Sequence, residues 1–230
     1  QGLAGKPVAD IRIDGAGKKV TRSDNCRVSD LSVSSDNLTF TYEAKSLPYP
    51  IDTSYYDNEK HTQADALSVI PFMDEMNYEG LSVSGLSDGY YGLTIGREFI
   101  GRFTARELER GINMALLQNT PQYKQAMKIR QMNEERWLKE RKMREFYWVE
   151  YNLMRKTGML WACNEAAVDT LRKYRPHDIF LQWNGDLWLQ YMHKGIREDC
   201  VNEQQDLVNQ IYEQNKPIPL RIEIKKFTDL

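Results

Sequence analysis

The segment Gln182-Trp-Asn-Gly-Asp-Leu-Trp188 carries side chains of the kinds that bind ligands. Tryptophan rings present flat apolar faces, while amide and carboxylate groups hydrogen-bond hydroxyls, and together these properties suit a carbohydrate. The pattern therefore suggests a ligand site at Trp183, Asn184, Asp186 and Trp188. The alternative, which we favour, is structural: Asn-Gly-Asp forms a turn and a helix N-cap, and the tryptophans pack between helices.

Three histidines, His61, His177 and His193, could supply the base that a hydrolase needs. A nucleophilic serine or cysteine requires such a base and an orienting acid beside it. The chain has no GxSxG segment, and Gly185-Asp186 is followed by leucine, so it is not a GDS nucleophile block. We therefore assign no catalytic residue. We expect His61 to be solvated, His177 to make a turn hydrogen bond, and His193 to cap helix carbonyls.

Motifs for metals and cofactors are also missing from the sequence. It contains no HExxH, EF-hand loop, P-loop or GxGxxG, so we predict no metal site and no cofactor. Cys26, Cys163 and Cys200 lie far apart without a CxxC pair. This spacing predicts buried, isolated thiols rather than a disulfide framework or a zinc site.

The overall composition excludes two classes of protein. The 230-residue chain has a formal net charge of −2, which does not fit the basic footprint of a nucleic-acid-binding protein. No apolar run approaches the ~20 residues that a membrane span needs. The first residues, QGLAGKPVAD, lack both Met and the regions of a signal peptide. We therefore expect a processed product or a piece of a longer polypeptide.

The first 103 residues have the pattern of β-strands. Apolar and polar residues alternate at 8–13, 38–42 and 91–95, as in strands with one buried face. Gly96-Arg97 fits a two-residue hairpin turn with glycine at the first central position. We predict a β-rich subdomain over residues 1–103, built as an antiparallel sandwich or a small sheet.

The hydrophobic period changes to that of helices at Thr104. Thr104-Ala-Arg-Glu107 is a capping box, and Thr120-Pro121 begins a long helix that we expect to reach about Lys156. Shorter helices are predicted at 164–174, 186–194 and 199–214, with Asn164 as the N-cap of the first. We predict a helical subdomain over 104–230 with a final strand within 218–226, and the fold class is α+β.

Several phrases of the sequence occur in the order in which one family of hydrolases has them. They are LTFTYEAKSLPYPI (38–51), NYEGLSVSGL (77–86), GYYGLTIG (89–96), IGRFTAREL (100–108), GINMA (111–115) and NTPQ (119–122). Over roughly residues 1–155 the chain resembles the C-terminal portion of bacterial SGNH (GDSL-like) hydrolases. In that family the catalytic α/β/α domain comes first, and a β-rich segment and a helical hairpin follow it.

The resemblance implies a function without implying an active site. The family's nucleophilic serine, its oxyanion-hole glycine and asparagine, and its aspartate and histidine all lie upstream of the matching region, so none is carried over. The implied role is a non-catalytic accessory region whose partner is the catalytic domain of the same polypeptide. The implied parent is an esterase acting on acylated substrates, carbohydrates among them, in the periplasm or outside the cell. The alternative is a free-standing module that binds carbohydrate or protein.

Overall fold

The computed structural model describes residues 6–53 and 62–227. It divides into two compact units, which we call the β unit (1–130 with 214–230) and the helical unit (131–213). Among the described residues, no helix combines the length and apolarity that crossing a bilayer requires. The predicted subdomain boundary between residues 103 and 104 followed the change in hydrophobic period and stays a prediction.

The β unit contains two sheets in its described part. The strands are β1 (Ala9–Asp14), β2 (Lys19–Asp24), β3 (Cys26–Val33), β4 (Asn37–Ala44), β5 (Glu79–Ser84), β6 (Tyr90–Ile95), β7 (Glu98–Thr104), β8 (Ile112–Asn113) and β9 (Leu220–Lys226). One sheet has the order β2-β1-β5-β8 and the other β3-β4-β9-β6-β7. Every neighbouring pair is antiparallel except β1 and β5, which run parallel.

Side chains from both sheets form one hydrophobic core. Ile11 and Leu81 from the first sheet, and Phe40, Leu93 and Ile222 from the second, are all completely buried. This packing explains the alternation in the sequence, because every second residue of each strand points into the layer between the sheets. The prediction of an α+β fold with an antiparallel, β-rich first half is confirmed. The alternation over 218–224 marks β9, which pairs with β4 and β6.

Local signals set the turns and the first helices. Gly96 has a φ of 63° in the two-residue turn between β6 and β7. Helix α1 spans Phe72–Glu75, and α2 spans Ala105–Arg110. The N–H of Glu107 donates to Thr104 Oγ1 at 3.2 Å, and the N–H of Thr104 donates to Glu107 Oε2 at 2.7 Å. The predicted hairpin turn and capping box are therefore both present.

Asn113 connects three parts of the β unit through its side-chain amide. Its Nδ2 donates to the carbonyls of Met73 and Asn77 at 2.9 and 3.2 Å. Its Oδ1 accepts from the N–H groups of Glu79 and Ala115 at 2.9 and 3.1 Å. Both donors and both acceptor positions of the amide are therefore used. Asn113 fixes the start of β5 as well as its own turn.

The remaining helices confirm part of the prediction and correct part of it. They are α3 (Pro121–Val149), which continues into a π-helical turn at Glu150–Met154, α4 (Glu165–Tyr174), α5 (Ile179–Tyr191) and α6 (Lys194–Gln214). The long helix and the Asn164 cap are as predicted, since Asn164 Oδ1 accepts from the N–H of Ala167 at 3.0 Å. The predicted helix starts at 186 and 199 and the predicted end at 194 were wrong, whereas the predicted end at 214 is correct. Helix α5 begins seven residues before its predicted start because Asp178 caps it, accepting a hydrogen bond from the N–H of Phe180 at 2.8 Å.

The β unit contains a buried carboxylate, Glu79, with no exposed surface. Tyr42 Oη donates to its Oε1 at 2.8 Å, and Gln122 Nε2 donates to the same oxygen at 3.2 Å. Burial raises the pKa of Glu79 from 4.5 to about 7, although the two hydrogen bonds oppose this shift. The buried Gln122 Oε1 has no hydrogen-bond partner among the described residues. Turning the amide over would let it accept from a protonated Glu79.

This shift predicts a pH-dependent stability. Below pH 4.5 both the folded and the unfolded chain hold the proton of Glu79, and above pH 7 neither does. Between these values the unfolded chain releases the proton first, so the free energy of unfolding falls as pH rises, by at most about 3 kcal/mol. Glu79→Gln should remove this fall of the free energy of unfolding with pH, which we call the pH slope. Urea unfolding followed by far-ultraviolet circular dichroism at several pH values measures it.

Two controls isolate the effect of Glu79. Glu109 is exposed, so Glu109→Gln should retain the slope of the unchanged protein. All five tryptophans lie in the helical unit, so their fluorescence follows the unfolding of residues 131–213 and not of the β unit, which contains Glu79. An equal pH slope in Glu79→Gln and the unchanged protein would refute the assignment.

Candidate functional site

The helical unit carries all four residues of the predicted ligand site on α5, but they have different surroundings. Trp188 is completely buried, and its Nε1 donates to Glu150 Oε1 at 2.8 Å. Trp183 is 67% exposed and contacts the ring of Phe180 edge-to-face at 5.5 Å. Trp188 thus belongs to the core, as the structural interpretation predicted, while Trp183 is free to contact a ligand.

Asp186 is held by Arg175. The guanidinium donates to Asp186 Oδ1 and Oδ2 at 2.6 and 2.7 Å and also to the carbonyl of Gln182 at 3.0 Å. The hydrogen bonds from Arg175 lower the pKa of Asp186. A Cβ atom added at Gly185 would lie 3.1 Å from Arg175 Nε, so glycine lets the guanidinium lie close against the helix.

Asn184 lies on another part of the surface of α5. It lines a shallow depression with Arg144, Glu145 and Trp148. The structure therefore does not bring Trp183, Asn184, Asp186 and Trp188 together. The tripeptide 184–186 is inside a helix rather than in the predicted turn. The carbohydrate site stays a prediction, carried by the exposed Trp183.

Glu150 is the organising side chain of the helical unit. It is 1% exposed and lies at the start of the π-helical turn. In addition to the bond from Trp188 to Oε1, its Oε2 accepts from the backbone N–H of Trp161 at 2.8 Å. Short π-helical turns within α-helices occur often at functional sites. The only sign of it in the sequence is an acidic residue within the apolar stretch 146–154.

Three partly exposed aromatic residues meet beside Glu150, and we call them the aromatic platform: Tyr147, Tyr151 and Trp161. The Trp161 ring lies edge-to-face with Tyr147 at 6.0 Å and with Tyr151 at 5.9 Å. Trp161 has a φ of 63°, a left-handed conformation that is unusual for a bulky residue. The hydrogen bond from its backbone N–H to Glu150 Oε2 holds Trp161 in this conformation. The platform is thus a fixed apolar surface at which 39–46% of each side chain is exposed.

Glu150→Gln tests this arrangement. A glutamine offers one acceptor oxygen, so its NH₂ group would face one of the two N–H donors now bound by the carboxylate. We expect the free energy of unfolding to fall by about 1–3 kcal/mol because a buried N–H loses its partner. Urea unfolding followed by tryptophan fluorescence measures this loss.

The exposed Glu213 provides the matched control for this substitution. Glu213→Gln should shift the unfolding midpoint little, since surface substitutions are usually within about 0.5 kcal/mol. Equal effects of the two substitutions would show that the hydrogen bonds of Glu150 do not stabilise the unit.

Cys163 and His193 depart from the sequence-based expectations. Cys26 and Cys200 are buried as predicted, but Cys163 is exposed, and its Sγ lies 3.3 Å from His193 Nδ1. Neither group has a further side-chain partner in the described part of the chain, so the pair lacks the orienting acid of a triad. Arg197, rather than the His193 ring, donates to the last carbonyls of α5. His61 lies outside the described residues.

The other chemical groups do not assemble a metal site. Within residues 6–53 and 62–227, no cluster of three or more His, Cys, Asp or Glu side chains could hold a metal ion. His177, the third histidine, lines a cavity near the start of α5, and its ring makes no hydrogen bond with any described residue, so the expected turn hydrogen bond is not found.

Comparison with known proteins relates the chain to an enzyme. Residues 127–216 match the family model of the diltiazem deacetylase C-terminal helical domain. The chain is also similar to the structure of a gut microbial diltiazem-metabolizing enzyme, with 36% sequence identity and a TM-score of 0.91 over 99% of its length. It spans about half, 51%, of that enzyme's chain. No curated protein sequence matches it significantly. The similarity is to the C-terminal domain of an esterase-like enzyme.

Proposed function

We propose that this chain is the non-catalytic C-terminal region of an SGNH-type ester hydrolase, whose catalytic domain is a separate part of the same polypeptide. The observation that carries the proposal is the match of nearly the whole chain to about half of a diltiazem-metabolizing enzyme.

The structure suits an accessory role in substrate binding. The aromatic platform and Trp183 expose fixed ring surfaces, which can contact the apolar part of a substrate. The name of the matched family, a deacetylase, supports an acetyl group as the group that is removed. We therefore propose an acetylated substrate with an apolar or aromatic body. An acylated carbohydrate is the narrower alternative from the sequence.

The first test is whether the chain alone is inactive. We expect no hydrolysis of p-nitrophenyl acetate above the buffer rate and no labelling by a fluorophosphonate serine reagent. The assay should use Cys163→Ala, because the exposed thiol beside His193 can react with an activated ester and alanine leaves no nucleophile there. Turnover that is blocked by the serine reagent would refute the non-catalytic assignment.

A chimera tests the accessory role directly. The chimera is the diltiazem-metabolizing enzyme in which this chain replaces the half that it matches. We expect the chimera to hydrolyse p-nitrophenyl acetate, whereas an unrelated β-sandwich domain in the same position should not support activity. Full activity of the enzyme with the matching half deleted would contradict the proposal.

A second candidate function is carbohydrate binding by the chain itself, which the exposure of Trp183 favours. A glycan array followed by calorimetry of any bound glycan tests it. Trp183→Ala should weaken binding at least about tenfold if the ring covers a sugar face. Trp137→Ala is the matched control, since Trp137 is also exposed. Equal affinities of the two variants would exclude Trp183 as the binding residue.

A further inference from the structure

The helical unit contains a cavity that none of the functions above uses. It has a volume of about 360 Å³ and lies where the π-helical turn, the end of α4 and the start of α5 meet. Its wall includes Trp148, Leu153, Lys156, His177, Asp178 and Leu181. Pockets for small molecules range over roughly 300–1,000 Å³, so this one suits a ligand of one or two rings.

One side of the cavity is apolar and fixed. Leu153 and Leu181 are 7% and 3% exposed, so they belong to the core of the unit. The Trp148 ring packs on Phe180 with 5.3 Å between the ring centroids, which holds its orientation. A flat apolar group can lie against this wall without moving the protein.

On the polar side of the cavity, two hydrogen-bond donors are available to a ligand, whereas the carboxylate is already hydrogen-bonded. Lys156 Nζ and the His177 ring form no ion pair or side-chain hydrogen bond with any described residue. The Asp178 carboxylate, by contrast, accepts from the N–H groups of Phe180 and Leu181 at 2.8 and 3.3 Å. The unmatched charge at the cavity is therefore the ammonium of Lys156.

These features indicate the charge of the ligand. A carboxylate placed near Lys156 and His177 would form charge-assisted hydrogen bonds. The single ammonium of Lys156 matches the one charge of a carboxylate, whereas a phosphate carries ≈ −1.5 to −2 charge at neutral pH and would keep unmatched charge near Asp178 in the same wall. We propose that the cavity binds a small aromatic monocarboxylate, with its ring against Trp148 and Leu181 and its carboxylate at Lys156 and His177.

Calorimetric titration of the full chain with 1-naphthoate tests the proposal. The neutral analogue 1-naphthalenemethanol has the same ring and no charge, so it should bind at least about tenfold more weakly. Lys156→Met should weaken binding of the acid about tenfold and leave binding of the alcohol unchanged. Lys156 is exposed, so the variant should fold.

Two controls locate the binding. Lys194→Met removes an exposed lysine of α6 that pairs with Glu198 outside the cavity, and it should not change the affinity for 1-naphthoate. His177→Gln should weaken the binding of the acid, as Lys156→Met does. Absence of measurable heat at millimolar 1-naphthoate, or equal effects of Lys156→Met and Lys194→Met, would overturn the proposal. Tighter binding of phenyl phosphate than of 1-naphthoate would overturn the monocarboxylate assignment.

Discussion

A carboxylate taken out of water must be given hydrogen-bond donors, and each compact unit of this chain contains such a carboxylate. In the β unit, Glu79 receives donors from Tyr42 and Gln122, which lie 37 and 43 residues away in sequence. In the helical unit, Glu150 receives them from Trp161 and Trp188. Both carboxylates therefore join distant segments, and each unit depends on segments that no local interaction would bring together.

The features that the sequence predicted correctly are those with local causes. The capping box at Thr104 needs only Glu107 three residues later, and the Asn164 cap needs only the N–H groups that follow it. The turn at Gly96 needs a residue that tolerates a positive φ. Strand alternation is equally local, because a strand with one buried face repeats every two residues. For these reasons the α+β class was predictable from the sequence.

Long-range contacts decided the features that the sequence did not predict. Asn184-Gly185-Asp186 has the composition of a turn, yet α5 continues through it, and Arg175 from the preceding turn holds Asp186. The proximity of Cys163 and His193, 30 residues apart, has no sequence pattern. The aromatic platform could not be predicted either, because it depends on how Trp161 is oriented by a buried carboxylate.

The conformation of Trp161 bears on the role of the helical unit. A bulky residue at positive φ costs of order 1–3 kcal/mol, and glycine would adopt the same backbone without that cost. The burial of just over half of Trp161 and its ring contacts with Phe146, Tyr147 and Tyr151 offset this strain. The exposed remainder of Trp161 lies beside Tyr147 and Tyr151, so the left-handed backbone holds an aromatic face toward solvent. Such a face suits the contact with the apolar part of a substrate that we propose for this chain.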